Sequence, residues 1–224
     1  MKVLDLTQTI MENMPLFPGT PPPNLEVKHT VESDGFREMK ITFYSHTGTH
    51  LDTPAHVFPG GKNLEEYSVD QFCGQGLILD FSRIDTIEIS LKIFEQALKK
   101  ALSSLASKRK VAVEDIAYLF IYTGWEEKWG ENSYFSGAPY LSEAVARRLT
   151  TLNLKGVGID AFSVDPLEGN MLLAHRVLLE ADIIIVENLK NLGVLVKEDF
   201  EFYGLPLKLR GGEGSPIRAI AKIP

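Results

Sequence analysis

The chain has 224 residues, of which 44% are apolar and 24% charged, and a formal net charge of −7 at pH 7. This composition excludes intrinsic disorder, because the apolar fraction is high and the net charge is modest. The acidic balance argues against nucleic acid or an anionic membrane as a partner. Because the length suits one large hydrophobic core, we predict a single domain over residues 1–224.

Several absences indicate where the protein works. No apolar stretch approaches the roughly 18 residues of a membrane-spanning helix, and the purest one covers only residues 183–186. Asp5 interrupts the first ten residues, so we expect no secretory signal. The one cysteine, Cys73, has no partner for an internal disulfide, which is typical of a reducing compartment. We therefore expect a cytoplasmic protein that acts on a small molecule and binds neither membranes nor nucleic acid.

The amino-terminal part of the chain predicts strands. Residues 2–10 alternate in part and indicate an opening strand, which a proline-rich loop follows. Apolar side chains at alternate positions then indicate two more strands. The first carries Leu25, Val27, His29 and Val31 on one face, and the second carries Met39, Ile41 and Phe43.

Strands alternate with helices in the rest of the chain. The continuous apolar runs at residues 76–81 and 117–122 are typical of strands that are covered on both faces. This alternation after an all-strand start predicts an α/β protein with a mostly parallel or mixed sheet. The other predicted elements are helices over 90–106, from Ser142 and over 171–179, and strands over 156–160, 183–187 and 217–223.

Three of the five histidines lie within eleven residues. They are His46, His50 and His56, and Asp52 stands between them. Imidazole and carboxylate groups are the ligands of zinc, manganese and iron(II). Gly48 and its β-branched neighbours disfavour a helix, and in an extended chain these even-numbered side chains share a face. The sequence therefore predicts a metal site in which Gly48 lets the backbone bend.

The segment HTGTHLDTPAH at 46–56 resembles the signature of the cyclase-like metal-dependent hydrolases, the group of the bacterial kynurenine formamidases and isatin hydrolases. The resemblance covers nearly the whole chain and implies a swivelling β/β/α domain with a mixed central sheet, assembled as a homodimer or homotetramer. Further segments match in the family's order: Phe17-Pro18-Gly19, Thr123-Gly124-Trp125, 139–144, 158–165 and 175–189.

The same resemblance implies a ligand set for one or two divalent ions per chain. His46, His50 and Asp52 would bind one metal. Asp52 would bridge to a second metal, which His175 and Glu187 would also hold. We expect Zn²⁺, with Mn²⁺ or Fe²⁺ as alternatives, since these residue types bind all three ions.

The resemblance implies hydrolysis of a C–N bond in a small amide, formamide or cyclic amide. A metal-bound hydroxide would attack the carbonyl group, and His56 would serve as acid and base. Phe17 stands where kynurenine formamidases commonly have a tryptophan that contacts the aromatic substrate, and Thr20 stands where they tend to have an aspartate. We therefore expect Phe17 to bind substrate, and formylkynurenine is one of several candidate substrates.

Two other functions fit parts of the pattern. His50 and Asp52 with the distant His175 imitate the two-histidine, one-carboxylate site of the non-haem iron(II) oxygenases. The additional histidines and Glu187 count against this alternative, since such a site needs open positions. A non-catalytic metal-binding protein is the other alternative, and the intact His56 beside a complete ligand set counts against it.

Overall fold

The computed structural model describes residues 1–108, 113–169 and 171–224. In these ranges the helices are α1 (Val31–Asp34), α2 (Leu91–Lys108), α3 (Glu143–Leu149) and α4 (Leu173–Glu180). The strands are β1 (Lys2–Asp5), β2 (Asn24–His29), β3 (Glu38–Thr42), β4 (His50–Asp52), β5 (Cys73–Asp80), β6 (Glu88–Ile89), β7 (Tyr118–Tyr122), β8 (Tyr140–Leu141), β9 (Gly156–Ile159), β10 (Ile184–Glu187), β11 (Phe200–Pro206) and β12 (Gly214–Ile223).

A mixed sheet closes into a barrel. Its strand order in the described ranges is β1-β12-β11-β5-β7-β9-β10-β4, and β4 also pairs with β12. Strands β5, β7, β9 and β10 run parallel to one another, whereas β1, β4, β11 and β12 join through antiparallel pairs. The predicted α/β fold with a mixed central sheet is confirmed. That residues 1–224 form a single domain stays a prediction.

Alternate side chains of the central strands enter two separate apolar cores. On β7, Leu119 and Ile121 pack against helices α2, α3 and α4, whereas Tyr118 and Phe120 belong to the core on the other face of the sheet, inside the barrel. All four side chains are at most 1% exposed. This burial on both faces explains why the strand has an uninterrupted apolar sequence, as predicted.

Some predicted boundaries differ from the observed ones. The first strand ends at Asp5, and residues 6–10 continue as an irregular segment. Val31 begins α1 instead of ending β2, because the Thr30 side chain accepts a hydrogen bond from the Ser33 amide and caps a helical turn. The side chain of Leu105, expected on the apolar face of α2, lies outside the described residues.

Strands β2 and β3 form an amino-terminal hairpin (residues 24–42) that pairs with no other strand in the described ranges. Its predicted apolar faces are not covered: Val27 is 43% exposed, Ile41 is 55% exposed and Phe36, in the connection, is 52% exposed. Period-two patterning therefore identified the strands but not their place outside the central sheet.

No helix in the described ranges combines the length and the apolar character that crossing a bilayer would require.

Candidate metal centre

The pairing of β4 with β10 forms the floor of the candidate site. In this antiparallel pair His50 lies opposite Glu187. Leu51 points into the barrel core, so the flanking His50 and Asp52 side chains point to the opposite face, towards the helices. His50 Nε2 lies 3.4 Å from Asp52 Oδ1 and 3.5 Å from Glu187 Oε2. Two strands that are distant in sequence thus bring three metal-ligand types to one buried point.

His46 reaches the same point from the turn before β4. Gly48 adopts a φ of 66°, a left-handed conformation that favours glycine, and the bend predicted there is confirmed. The bend brings His46 Nδ1 to 2.6 Å from Asp52 Oδ1. One ligand atom from each of His46, His50 and Asp52 lies within 4.8 Å of the others.

Helix α4 carries His175, the third histidine of the predicted ligand set. His175 Nε2 lies 3.5 Å from Asp52 Oδ2 and 3.3 Å from Glu187 Oε1. These three residues form a second group whose ligand atoms are within 4.8 Å of one another. Asp52 belongs to both groups, with Oδ1 on the side of His50 and Oδ2 on the side of His175. This is the arrangement that a carboxylate bridging two ions requires.

Two histidines of these groups, His175 and His50, each hydrogen-bond an oxygen atom through their other ring nitrogen. Such a contact selects the ring tautomer and aims the opposite nitrogen at a metal, so it is typical of metal-ligating histidines. The contacts are His175 Nδ1 to Asp165 Oδ2 at 2.7 Å and His50 Nδ1 to the Gly48 carbonyl oxygen at 2.9 Å. His46 Nε2 lies 3.4 Å from Glu213 Oε1 and makes no hydrogen bond within the described residues.

Asp165 has a second role at the start of α4. Its Oδ1 accepts a hydrogen bond from the Ala174 amide at 2.8 Å, and its Oδ2 accepts one from the His175 amide at 2.9 Å. The residue at the N-cap position, Leu172, has no side chain able to do this. One carboxylate therefore both caps the helix and orients the histidine that the helix carries.

The chemistry of the donors fits a divalent cation. Asp52 is fully buried, and neither of its oxygens accepts a hydrogen bond from the described residues. Burial alone would raise the pKa of Asp52, but the adjacent His46 and His50 hold it well below its ordinary value, so the group is an anion. A buried anion is costly unless a cation neutralises it, whether a protonated histidine or a metal ion. A metal among these nitrogen and oxygen atoms would supply that cation.

His56 lies beside the two groups and belongs to neither. It ends the 3₁₀ turn Pro54–His56, and its ring centroid is 4.1 Å from that of His46. In the described part of the chain no hydrogen bond holds its ring. Burial lowers the pKa of His56, and the neighbouring His46 lowers it further against the opposing effect of Asp52. The neutral ring is therefore available to accept a proton.

A cavity of about 560 Å³ opens above these residues. Its lining includes the four histidines described above, Asp52 and Glu187, together with an aromatic wall of Phe17, Phe135 and Phe162. Phe17 lies in the proline-rich loop and meets Phe135 edge-on, with ring centroids 6.3 Å apart. Phe17 is 52% exposed. Its predicted place at the substrate pocket is consistent with this geometry.

The six metal-binding and catalytic residues predicted from the sequence all line this cavity: His46, His50, Asp52, His56, His175 and Glu187. Four further residues at the site were not predicted: Asp165, Glu213, Phe135 and Phe162. Asp165 ends a segment that carried the resemblance, and this was the available signal for it. Glu213 lies in a glycine-rich loop, and the two phenylalanines have no local pattern that separates a pocket wall from a core.

Comparisons with known proteins identify the family of the chain. The family model Cyclase matches residues 4–166. The chain is 31% identical to kynurenine formamidase of Bacillus cereus over 98% of this chain and 96% of that one. It is 36% identical to an uncharacterised protein of Methanocaldococcus jannaschii over 99% of each chain.

The fold is similar to that of solved isatin hydrolases. The structure of isatin hydrolase A from Labrenzia aggregata superimposes with a TM-score of 0.83 at 23% identity, and the match covers 99% of this chain and 93% of that one. This likeness concerns the fold. Since the family model spans most of the sequence and relatives above 30% identity cover nearly all of it, the chain belongs to the Cyclase family.

Proposed function

We propose that the protein is a metal-dependent hydrolase that cleaves the C–N bond of a small amide, formamide or cyclic amide. The observation that carries the proposal is the pair of ligand groups that share Asp52 at the floor of a cavity, with His56 beside them. Relatives named kynurenine formamidase support this class of bond.

The ligand groups define two metal positions in this proposal. His46, His50 and Asp52 would hold the first ion, and Asp52 with His175 and Glu187 would hold the second. A divalent ion bound there supplies Lewis acidity, which acidifies water and polarises a carbonyl oxygen. Zn²⁺ is the proposed ion, with Mn²⁺ and Fe²⁺ as alternatives, and elemental analysis of the purified protein would identify it. A preparation free of all three would contradict this assignment.

His56 moves the proton in the proposed reaction. Hydrolysis adds water across the C–N bond, so that the hydroxyl group goes to the carbonyl carbon and a proton goes to the leaving nitrogen. The neutral ring of His56 accepts the proton from water and then delivers it to that nitrogen, which departs as an amine. The place of His56 outside both ligand groups leaves its ring free for this transfer.

The aromatic wall favours a substrate that carries an aryl ring. Phe17, Phe135 and Phe162 offer ring faces and edges within one cavity. Such surfaces bind another aromatic ring by offset or edge-to-face contact, worth about 0.5–1.5 kcal/mol per pair beyond the area buried. Phe17 is thus the proposed substrate-binding residue. An aryl formamide such as formylkynurenine and a cyclic aryl amide such as isatin are the substrates to test.

Metal-reconstituted protein is expected to hydrolyse N-formylkynurenine or isatin. A sample treated with chelator should be inactive and should recover when metal is returned, because the ions bind reversibly through histidine and carboxylate groups. The measurement is release of formate, or of the ring-opened acid from isatin. Inactivity of the metal-loaded protein on both compounds and on simple aryl formamides would refute the proposal. Oxygen uptake with Fe²⁺ and a ketoacid would support the oxygenase alternative instead.

We further propose that the chain assembles as a homodimer or homotetramer in the cytoplasm. The amino-terminal hairpin supports self-association, since an isolated two-stranded hairpin is marginally stable in water and this one exposes Val27 and Ile41. Sedimentation equilibrium would measure the mass in solution, and a monomer would contradict the proposal. The free thiol of Cys73 is consistent with a reducing compartment, and cell fractionation tests that location.

A further inference from the structure

Asn188 occupies a special position at the end of β10. It directly follows Glu187 and has a φ of 56°, a left-handed conformation that asparagine adopts more readily than most residues. Its carbonyl oxygen accepts a hydrogen bond from Thr49 Oγ1 at 2.6 Å. The residue is 8% exposed and lies at the wall of the cavity. Backbone and side chain are therefore both held close to the metal centre.

The Asn188 side chain connects two groups that are far apart in sequence. Its Nδ2 donates to the Gly48 carbonyl oxygen at 3.0 Å, and its Oδ1 accepts from the Tyr134 hydroxyl at 2.7 Å. A carbonyl oxygen only accepts, so Nδ2 must be the atom that faces Gly48. Burial, followed by the negative charge of Asp160, raises the pKa of Tyr134 well above its ordinary value, so the phenol keeps the proton that it donates.

The Gly48 carbonyl oxygen is also the partner of His50 Nδ1, at 2.9 Å. Because that oxygen can only accept, Nδ1 is the donor. When the ring binds a metal, Nε2 is therefore the nitrogen left to coordinate it, on the side of Asp52 and Glu187. A peptide next to glycine has little steric restraint on its orientation. The hydrogen bond from Asn188 supplies the restraint that the missing side chain does not.

We propose that Asn188 and Tyr134 are positioning residues for the metal centre. Together they hold the Gly48 carbonyl group in the orientation that directs His50 Nε2 to the first ion. Tyr134 acts through Asn188, and Asn188 acts through Gly48. The inference rests on the metal positions of the proposed function, and it is independent of which substrate is hydrolysed.

The experiment measures zinc affinity by competition with a chromophoric chelator, together with the visible spectrum of the cobalt-substituted protein. The variants are Asn188→Gly, Tyr134→Phe and the double variant. Glycine tolerates the left-handed backbone at this position, so Asn188→Gly removes the amide without adding strain. Tyr118→Phe is the matched control, since Tyr118 is equally buried and its hydroxyl donates to the Gln71 carbonyl oxygen, away from the site.

We expect Asn188→Gly to weaken zinc binding about 10- to 100-fold, as is usual when a group that orients a ligand is lost. Tyr134→Phe should weaken it less, and both should change the cobalt spectrum. The double variant should bind no more weakly than Asn188→Gly alone, because Tyr134 acts only through Asn188. The control Tyr118→Phe should keep the affinity and the spectrum of the unmodified protein.

Three results would overturn the inference. They are unchanged zinc affinity and cobalt spectrum in Asn188→Gly, independent additive losses in the double variant, and an equal loss of affinity in Tyr118→Phe. Zinc binding is measured without substrate. Protein that binds zinc as expected in every variant and hydrolyses none of the test compounds would therefore refute the proposed reaction and leave the positioning role supported.

Discussion

Replacing His56 with alanine is expected to lower kcat by about 10²- to 10⁴-fold, the usual contribution of a general acid and base. The metal content should stay that of the unmodified protein, because His56 belongs to neither ligand group. Stopped assays of amide hydrolysis would give kcat, and elemental analysis would give the metal content of the same preparation.

His29→Ala is the matched control for this change. His29 lies in the amino-terminal hairpin, where its ring contacts Asp34 and Glu38 and is away from the cavity. The control should keep both activity and metal. A His56→Ala protein with full activity would show that another group moves the proton, and one that loses its metal would show that His56 is a ligand.

Replacing Asp52 with alanine is expected to empty both metal positions and abolish turnover. The carboxylate lies between the two groups with one oxygen towards each, so its loss removes a ligand from both proposed positions. Loss of a group that only orients a ligand weakens metal binding about 10- to 100-fold, so loss of the shared ligand itself should weaken it by at least about a hundredfold. Metal content after dialysis against a weak chelator would measure the effect.

Glu187→Ala separates the two positions in the same experiment. Glu187 belongs only to the group that contains His175, so its loss should remove the second ion and retain the first. Asp85→Ala is the control for Asp52→Ala. Asp85 is exposed, so its replacement should leave the metal content unaltered. Retention of both ions by Asp52→Ala would contradict the bridging assignment.

The structural features that could be predicted from the sequence are those that depend on residues close together in the chain. The run over β7 indicated burial on both faces because each side chain enters one of two cores. The cluster of His46, His50 and Asp52 indicated metal ligands because their spacing within a short extended segment brings their side chains together. Gly48 was identified as a bend for a reason that also lies within one residue, its tolerance of positive φ.

The parts that were not predicted depend on contacts between distant segments. β4 has only three residues, and what makes it a strand is its pairing with β10 and β12. Asp165 orients a histidine ten residues away, and Tyr134 reaches an asparagine 54 residues away. The apolar alternation of the amino-terminal hairpin looks the same whether the hairpin joins the sheet or stands apart from it. No periodicity in one sequence contains that information.

The place of β4 in the barrel has a consequence for biosynthesis. Two long-range hydrogen bonds flank β4. Thr49, before the strand, bonds to Asn188, 139 residues away, and Thr53, after it, bonds to Glu213, 160 residues away. Contacts of such long sequence separation form slowly, since most of the chain must first be ordered. His46, His50 and Asp52 precede β12 in the chain, so β4 can complete its pairing only after β12 has been synthesised. The proposed metal positions can therefore be completed only after that point in synthesis.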